Sequence, residues 1–113
     1  MPVPALDISI KKTQKYNLVT LKGRLDASVF QNFVITCLPL VENNHLVIDF
    51  TDVDYVSSTG IGALFKLLKL AHNNKKKLVF FGVQPTVKKV ITLTKLENMF
   101  NIVETLDESL KLL

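Results

Sequence analysis

The feature that most constrains the fold is a dense apolar run at residues 46–50, Leu-Val-Ile-Asp-Phe, which soon leads into the hydroxyl-rich sequence Ser-Ser-Thr-Gly at 57–60. So many β-branched and large apolar residues predict an inner strand packed on both faces. Apolar residues then recur at helical spacing: Ile61, Leu64, Leu68 and Ala71. They predict a helix to about His72, and a buried strand followed by a helix is typical of a parallel crossover.

Two alternating segments upstream predict a β-hairpin. Apolar and polar side chains alternate over residues 6–11 and again over 16–22, on either side of a polar break at 13–15. This period of two is the pattern of half-buried strands. Gly23 is expected to end the second strand.

A helix is predicted next, before the inner strand. Its apolar face is Phe30, Phe33, Val34, Cys37 and Val41. Asp26 or Ser28 is placed to cap it, and Pro39 is expected to kink or end it.

The rest of the chain continues the alternation of strand and helix. An acidic loop is expected at 51–54, a buried strand at 77–82, a helix that Pro85 opens, a short edge strand at 102–105 and a closing helix at 106–113. The fold class is therefore α/β, with a mixed sheet of four to five strands packed against about four helices.

Size and composition fit one cytoplasmic domain spanning residues 1–113. The chain is 48% hydrophobic and 21% charged, near the globular average, and its net charge of +4 is weak for a nucleic-acid binder. The first ten residues lack the pattern of a signal peptide, and no run approaches the length of a membrane span. The lone Cys37 suits core packing in a reducing compartment. We expect no nucleic-acid partner and no membrane partner.

Metal and cofactor sites are not indicated. His45 and His72 have no second histidine or cysteine at ligand spacing, so a zinc site is not expected. Asp49, Asp52 and Asp54 raise the question of a magnesium site, but we interpret them as loop-forming. The expected inventory is no metal, no cofactor and no catalytic residue.

The hydroxyl-rich turn is the candidate site. One of Ser57, Ser58 and Thr59 can cap the helix, which leaves two hydroxyls in surplus at a helix N-terminus, where a phosphate would be electrostatically favoured. A weaker alternative uses the amides of Gly60 and Gly62 to hold a nucleotide or another anion. The third glycine of a dinucleotide fingerprint is absent.

Two motifs together resemble the STAS domain family, most closely the single-domain anti-sigma factor antagonists of bacteria. Residues 57–62, Ser-Ser-Thr-Gly-Ile-Gly, resemble the family's Asp-Ser-Ser/Thr-Gly-Leu-Gly, and residues 21–27, which include Asp26, resemble its Gly-x-Leu-Asp-Ala turn. The similarity in element order extends over nearly the whole chain. One departure is Ser57, which stands where the family has an aspartate.

The resemblance implies a non-enzymatic protein in a phosphorylation-controlled partner switch. Its partner would be an anti-sigma factor with serine/threonine kinase activity, and a phosphatase would reset it. The implied phosphoacceptor is Thr59, with Ser58 a minor candidate. The implied motif and partner-binding residues are Asp26, Ser57, Ser58, Thr59, Gly60, Ile61, Gly62, Lys66 and Lys69. Whether Ser57 abolishes phosphorylation stays open, as do a scaffold role in another signalling complex and the choice between monomer and weak dimer.

Overall fold

The computed structural model describes residues 6–95 and 97–113, which form five strands and four α-helices. In chain order these are β1 (Leu6–Lys12), β2 (Tyr16–Leu25), α1 (Phe30–Asn43), β3 (His45–Val56), α2 (Ser58–Asn73), β4 (Leu78–Phe81), α3 (Pro85–Leu93), β5 (Asn101–Val103) and α4 (Leu106–Lys111). A 3-10 turn, Glu97–Met99, precedes β5. The predicted α/β class and mixed sheet are confirmed.

The strands lie in the sheet in the order in which they occur in the chain. β1 pairs with β2 in antiparallel fashion, which confirms the hairpin, and β2 to β5 are parallel neighbours. Their carboxyl ends therefore lie along one edge of the sheet and their amino ends along the opposite edge. The carboxyl edge is marked by the last residues of β2, β3 and β4: Leu25, Val56 and Phe81. The amino edge is marked by their first residues: Tyr16, His45 and Leu78.

The inner strand is buried on both faces, as its sequence predicts. Leu46, Val47 and Ile48 are all fully buried. The rings of Phe50 and Phe80 meet edge to face at a centroid distance of 5.0 Å. The helices contribute Phe33, Val34, Cys37, Leu40, Val41, Ile61, Ala63, Leu64, Leu67, Ala71, Val87 and Ile91 to the buried core. Leu68, predicted to face the core, is only partly buried.

Gly23 does not end β2. The strand continues to Leu25, and its pairing with β3 shifts register on either side of the glycine. Gly23 has a φ of +120°, which other residues rarely adopt, so it supports an irregularity within the strand rather than a turn after it.

The acidic loop predicted at 51–54 is instead the second half of β3, which runs to Val56 beside the extended β2. Val53 and Val56 are buried while Asp52 and Asp54 are exposed, so the aspartates occupy the solvent-facing positions of a strand. The aspartates suggested a loop because they are rare in strands, but pairing with β2 outweighs that preference.

The capping prediction for α1 was wrong, and so was one of the two alternatives for Pro39. The helix begins at Phe30 with Val29 as N-cap and no capping side chain, because Asp26 instead bonds to Ser28 in the preceding turn. Pro39 does not end the helix, which continues to Asn43.

The later elements differ from prediction only at their boundaries. Pro85 opens α3 at its first turn, as predicted. β4 and α4 are shorter than predicted, and β5 begins at Asn101 rather than Ile102. Such shifts are usual where a short element ends. None of the helices in the described ranges is long and apolar enough to cross a membrane.

Candidate functional site

Ser57 alone caps α2. Its backbone is extended and its Oγ accepts a hydrogen bond from the Gly60 N–H over 3.1 Å. Its carbonyl oxygen accepts the first bond of the helix from the Ile61 N–H over 2.9 Å. This is the bonding of an ordinary serine N-cap, so serine retains the capping role that an aspartate would fill at this position.

The two following hydroxyls are left over, as the sequence suggested. Ser58 and Thr59 are both exposed in the first turn of α2. Within the described part of the chain, neither hydroxyl makes a hydrogen bond. Both are therefore accessible to a modifying enzyme or to a partner.

The two glycines of the motif have different roles. A Cβ added at Gly60 would collide with the carbonyl oxygen of Leu25 and lie 3.0 Å from Cγ1 of Val56. Gly60 therefore allows a close approach of helix and strand that no other residue would permit. Gly62 does not, because a Cβ there would meet nothing within 4 Å. The Gly60 N–H is already bonded to Ser57 and is not free to bind an anion.

Asp26 lies next to this helix start because β2 and β3 end side by side. Leu25 pairs with Val56, so Asp26 and Ser57 are the next residues of adjacent parallel strands. Asp26 Oδ1 accepts hydrogen bonds from the Ser28 Oγ over 2.6 Å and the Ser28 N–H over 3.0 Å. Chiefly because the Ser28 hydroxyl stabilises the charged carboxylate, the pKa of Asp26 is lowered.

Arg24 and Tyr55 pair across β2 and β3, and neither was predicted from the sequence to be a site residue. The Arg24 guanidinium lies 4.7 Å from the centroid of the Tyr55 ring, and its Nε is 4.0 Å from Asp26 Oδ2. Tyr55 is 44% exposed. This surface aromatic and cation depend on the register of two strands distant in sequence, which local patterns do not reveal.

One exposed strip of α2 gathers most of the predicted partner-binding residues at helical spacing. We call it the α2 stripe, and its members are Ser58, Thr59, Gly62, Lys66 and Lys69. Lys69 Nζ lies 5.6 Å from the centroid of the partly buried Phe65 ring. Ile61 does not belong to the stripe, because it is 4% exposed and packs in the core. Its burial agrees with the helical spacing that assigns Ile61 to the apolar face of α2.

The aspartates near the site show no metal-binding arrangement. Asp49 Oδ1 accepts a hydrogen bond from the Thr51 N–H over 2.9 Å. Across residues 6–95 and 97–113, no three histidine, cysteine or acidic side chains are grouped to hold an ion. Cys37 is buried, and burial raises the pKa of its thiol to about 12. It packs as a small apolar residue, as predicted.

A five-stranded mixed sheet with a hydroxyl-rich turn between its third strand and second helix is a STAS arrangement, and the chain belongs to the STAS domain family. The family model, described as STAS domain, matches residues 7–109. The curated relatives include the anti-sigma-B factor antagonist of Staphylococcus aureus, which is 24% identical over 101 residues. That alignment covers 88% of this chain and 94% of the relative.

Solved structures show the same fold. An anti-sigma factor antagonist from Mycobacterium paratuberculosis superposes with a TM-score of 0.84 at 20% identity, covering 98% of this chain and 97% of the other. The anti-sigma factor antagonist SpoIIAA in its unphosphorylated form gives 0.77 at 16% identity, covering 92% and 93%. SpoIIAA from Bacillus in the phosphorylated form gives 0.71 at 15% identity, covering 93% and 97%.

Proposed function

We propose that this protein is an anti-sigma factor antagonist that binds an anti-sigma factor and is released from it by phosphorylation at Thr59. The partner would itself carry the serine/threonine kinase activity, and a phosphatase would restore the binding form. The protein would act by binding and not by catalysis. The Staphylococcus aureus relative is named as such an antagonist, and SpoIIAA has been solved in both unphosphorylated and phosphorylated forms.

The observation that carries the proposal is the division of roles between neighbouring hydroxyls. Ser57 holds the helix start, while Ser58 and Thr59 are exposed and make no hydrogen bond within the described residues. Thr59 directly precedes Gly60, the glycine that seats α2 against β2. A phosphate can therefore be added to Thr59 without breaking a contact that the fold needs.

A phosphate at Thr59 would alter the α2 stripe more than the fold. Its charge of roughly −1.5 to −2 is favourable at the positive end of the helix dipole. On the α2 stripe, this charge would lie about one helical turn from Gly62 and about two turns from Lys66. A partner surface complementary to the free hydroxyl would then meet bulk and negative charge, which weakens the complex by repulsion and desolvation.

The test is phosphorylation by a purified serine/threonine kinase of the histidine-kinase-like ATPase fold from the same organism. Mass spectrometry should place the phosphate on Thr59, and Thr59→Ala should lose nearly all incorporation. Ser58→Ala is the matched control and should keep most of it. Calorimetry should show tight binding of the kinase by the unmodified protein and weak binding by the phosphorylated one. A phosphate on Ser58 or Ser57 would overturn the assignment to Thr59.

One observation favours a second candidate, a STAS scaffold that binds its partner without phosphorylation. Ser57 supplies the cap but not the negative charge of the family's aspartate beside the acceptor. A stable complex with the kinase, with no phosphate transferred from ATP, would support the scaffold role over the switch.

A further inference from the structure

The charged residues of this protein are segregated along the strand direction. Eight lysines lie in the segments that meet at the amino edge of the sheet: the end of β1, the hairpin turn that follows it, the connections into β4 and β5, and the end of α4. We call this surface the basic end, and its lysines are Lys11, Lys12, Lys15, Lys75, Lys76, Lys77, Lys95 and Lys111. By sequence, these segments and the last turn of α1 hold two carboxylates, Glu42 and Glu97.

The acidic residues lie at the other end. Eight of the ten carboxylates occupy the carboxyl edge or the segments that adjoin it: Asp7, Asp26, Asp49, Asp52, Asp54, Glu104, Asp107 and Glu108. The hydroxyl-rich turn belongs to this end. A net charge of +4 therefore averages over two oppositely charged ends and understates the field at each one.

The lysines of the basic end are available to an external anion. All are exposed except Lys76, which is half-buried, and among the described side chains none forms an ion pair with a carboxylate. Lys76 and Lys77 lie close enough to His45 that, together with the larger effect of burial, they lower its pKa.

Apolar groups lie among these cations. Leu110 and Leu113 help to line a hollow of about 560 Å³, together with Lys15, Tyr16 and His45. Between the two leucines, the neighbouring Leu112 is 42% exposed. Lysines around one exposed and two half-buried leucines make a surface suited to the boundary between lipid headgroups and acyl chains, where cations bind headgroups and apolar side chains enter the acyl layer.

We propose that the basic end docks on an anionic lipid surface. Nucleic acid fits less well, because the basic end contains no arginine within the described ranges and the aromatic ring in its hollow, Tyr16, is half-buried. Nucleic-acid surfaces typically use arginine forks and exposed stacking rings. Docking would turn the acidic end and Thr59 away from the membrane, where a protein partner can reach them. This departs from the expectation of no membrane partner, which rested on the absence of a signal-peptide pattern and of a run long enough to span a bilayer.

Vesicle sedimentation tests the proposal. The protein should bind vesicles of about 40% phosphatidylglycerol in phosphatidylcholine, should not bind pure phosphatidylcholine, and should dissociate as ionic strength rises. The triple variant Lys75→Gln, Lys76→Gln, Lys77→Gln should lose about a hundredfold in partition coefficient, since each lysine near an anionic surface contributes roughly fivefold. Circular dichroism checks that the variant is folded.

A control triple with the same change in net charge separates a defined surface from general charge attraction. Lys22→Gln, Lys88→Gln, Lys89→Gln alters exposed lysines outside the basic end and should bind within about threefold of the wild type. Equal losses in the two triples would overturn the proposal. So would no binding to anionic vesicles at physiological ionic strength, or tighter binding of duplex DNA than of vesicles through the same three lysines.

Discussion

The backbone N–H of Ser57 donates to the carbonyl oxygen of Leu25 over 3.0 Å. This bond joins the two sequence motifs of the family, the turn after β2 and the hydroxyl-rich start of α2. The same carbonyl group is the one that a side chain at Gly60 would strike. Two contacts with Leu25 therefore fix the position of Thr59: the hydrogen bond from Ser57, which precedes it in the chain, and the close approach of Gly60, which follows it.

Gly60→Ala should destabilise the protein by about 1 to 3 kcal/mol, the usual cost of an overpacked site. The added Cβ would collide with backbone, which cannot move aside as a flexible side chain can. The midpoint of urea unfolding measures the change. A stability equal to wild type would show that α2 can shift away from Leu25 without cost.

Much of the fold follows from local patterns. The alternation in β1 and β2, the apolar run of β3 and the helical spacing in α2 each predicted the correct element. They did so because an element buried on one face repeats its apolar residues at the period of a strand or a helix, while a strand buried on both faces is a continuous apolar run. The sequence also predicted that one of Ser57, Ser58 and Thr59 caps α2, but it did not distinguish which of the three does so.

What the sequence did not reveal depends on neighbours distant along the chain. Gly23 suggested a turn, yet β3 beside it keeps the chain extended through a register shift. The separate roles of Gly60 and Gly62 depend on whether Leu25 lies opposite, which only the packed structure shows. The segregation of charge also depends on which strand ends share an edge, although every residue involved is visible in the sequence.

Ser57→Asp should leave stability within about 0.5 kcal/mol of wild type, because aspartate and serine are comparable N-caps. Phosphorylation of Thr59 should become faster, since the change restores a carboxylate beside the acceptor. Ser57→Ala, which loses the bond to the Gly60 N–H, should instead cost about 1 kcal/mol. Initial rates of Thr59 phosphorylation by the partner kinase measure the effect of Ser57→Asp on the acceptor. Equal rates for this variant and the wild type would show that the missing carboxylate does not limit phosphorylation.

Thr59→Glu should weaken binding of the anti-sigma factor without unfolding the protein. A carboxylate in the first turn of α2 interacts favourably with the helix dipole, by about 0.3 to 1 kcal/mol. The same charge on the α2 stripe imitates part of the effect of a phosphate. Calorimetry gives the affinity and thermal unfolding the stability, with Thr59→Gln as the uncharged control. A Thr59→Glu protein that binds as tightly as Thr59→Gln would count against the switch.

His45 should make stability fall in mild acid. Its Nδ1 accepts a hydrogen bond from the Lys77 N–H over 2.9 Å, which an imidazolium cannot do. Burial, then Lys76 and Lys77, lower its pKa. Because the unfolded chain takes up the proton first, stability should be greatest above about pH 6.5 and decline as pH falls from there toward the folded pKa. His45→Gln keeps an acceptor that does not titrate in this range, so its stability should decline less between pH 7.5 and 5; parallel curves would contradict this.

Gly62→Ala should separate the stability of the protein from its binding. A Cβ at Gly62 meets nothing within 4 Å, and alanine is favoured over glycine inside a helix, so the variant should be more stable by about 0.5 to 1 kcal/mol. Glycine destabilises a helix, so its presence at the centre of the α2 stripe is explained if a partner approaches the helix backbone closely there. The added Cβ would obstruct that approach, and affinity for the anti-sigma factor should fall about tenfold. The matched control is Ala63→Gly, which alters the adjacent buried position and should lower stability instead. Unchanged affinity in a stabilised Gly62→Ala protein would place the partner elsewhere than on the α2 stripe.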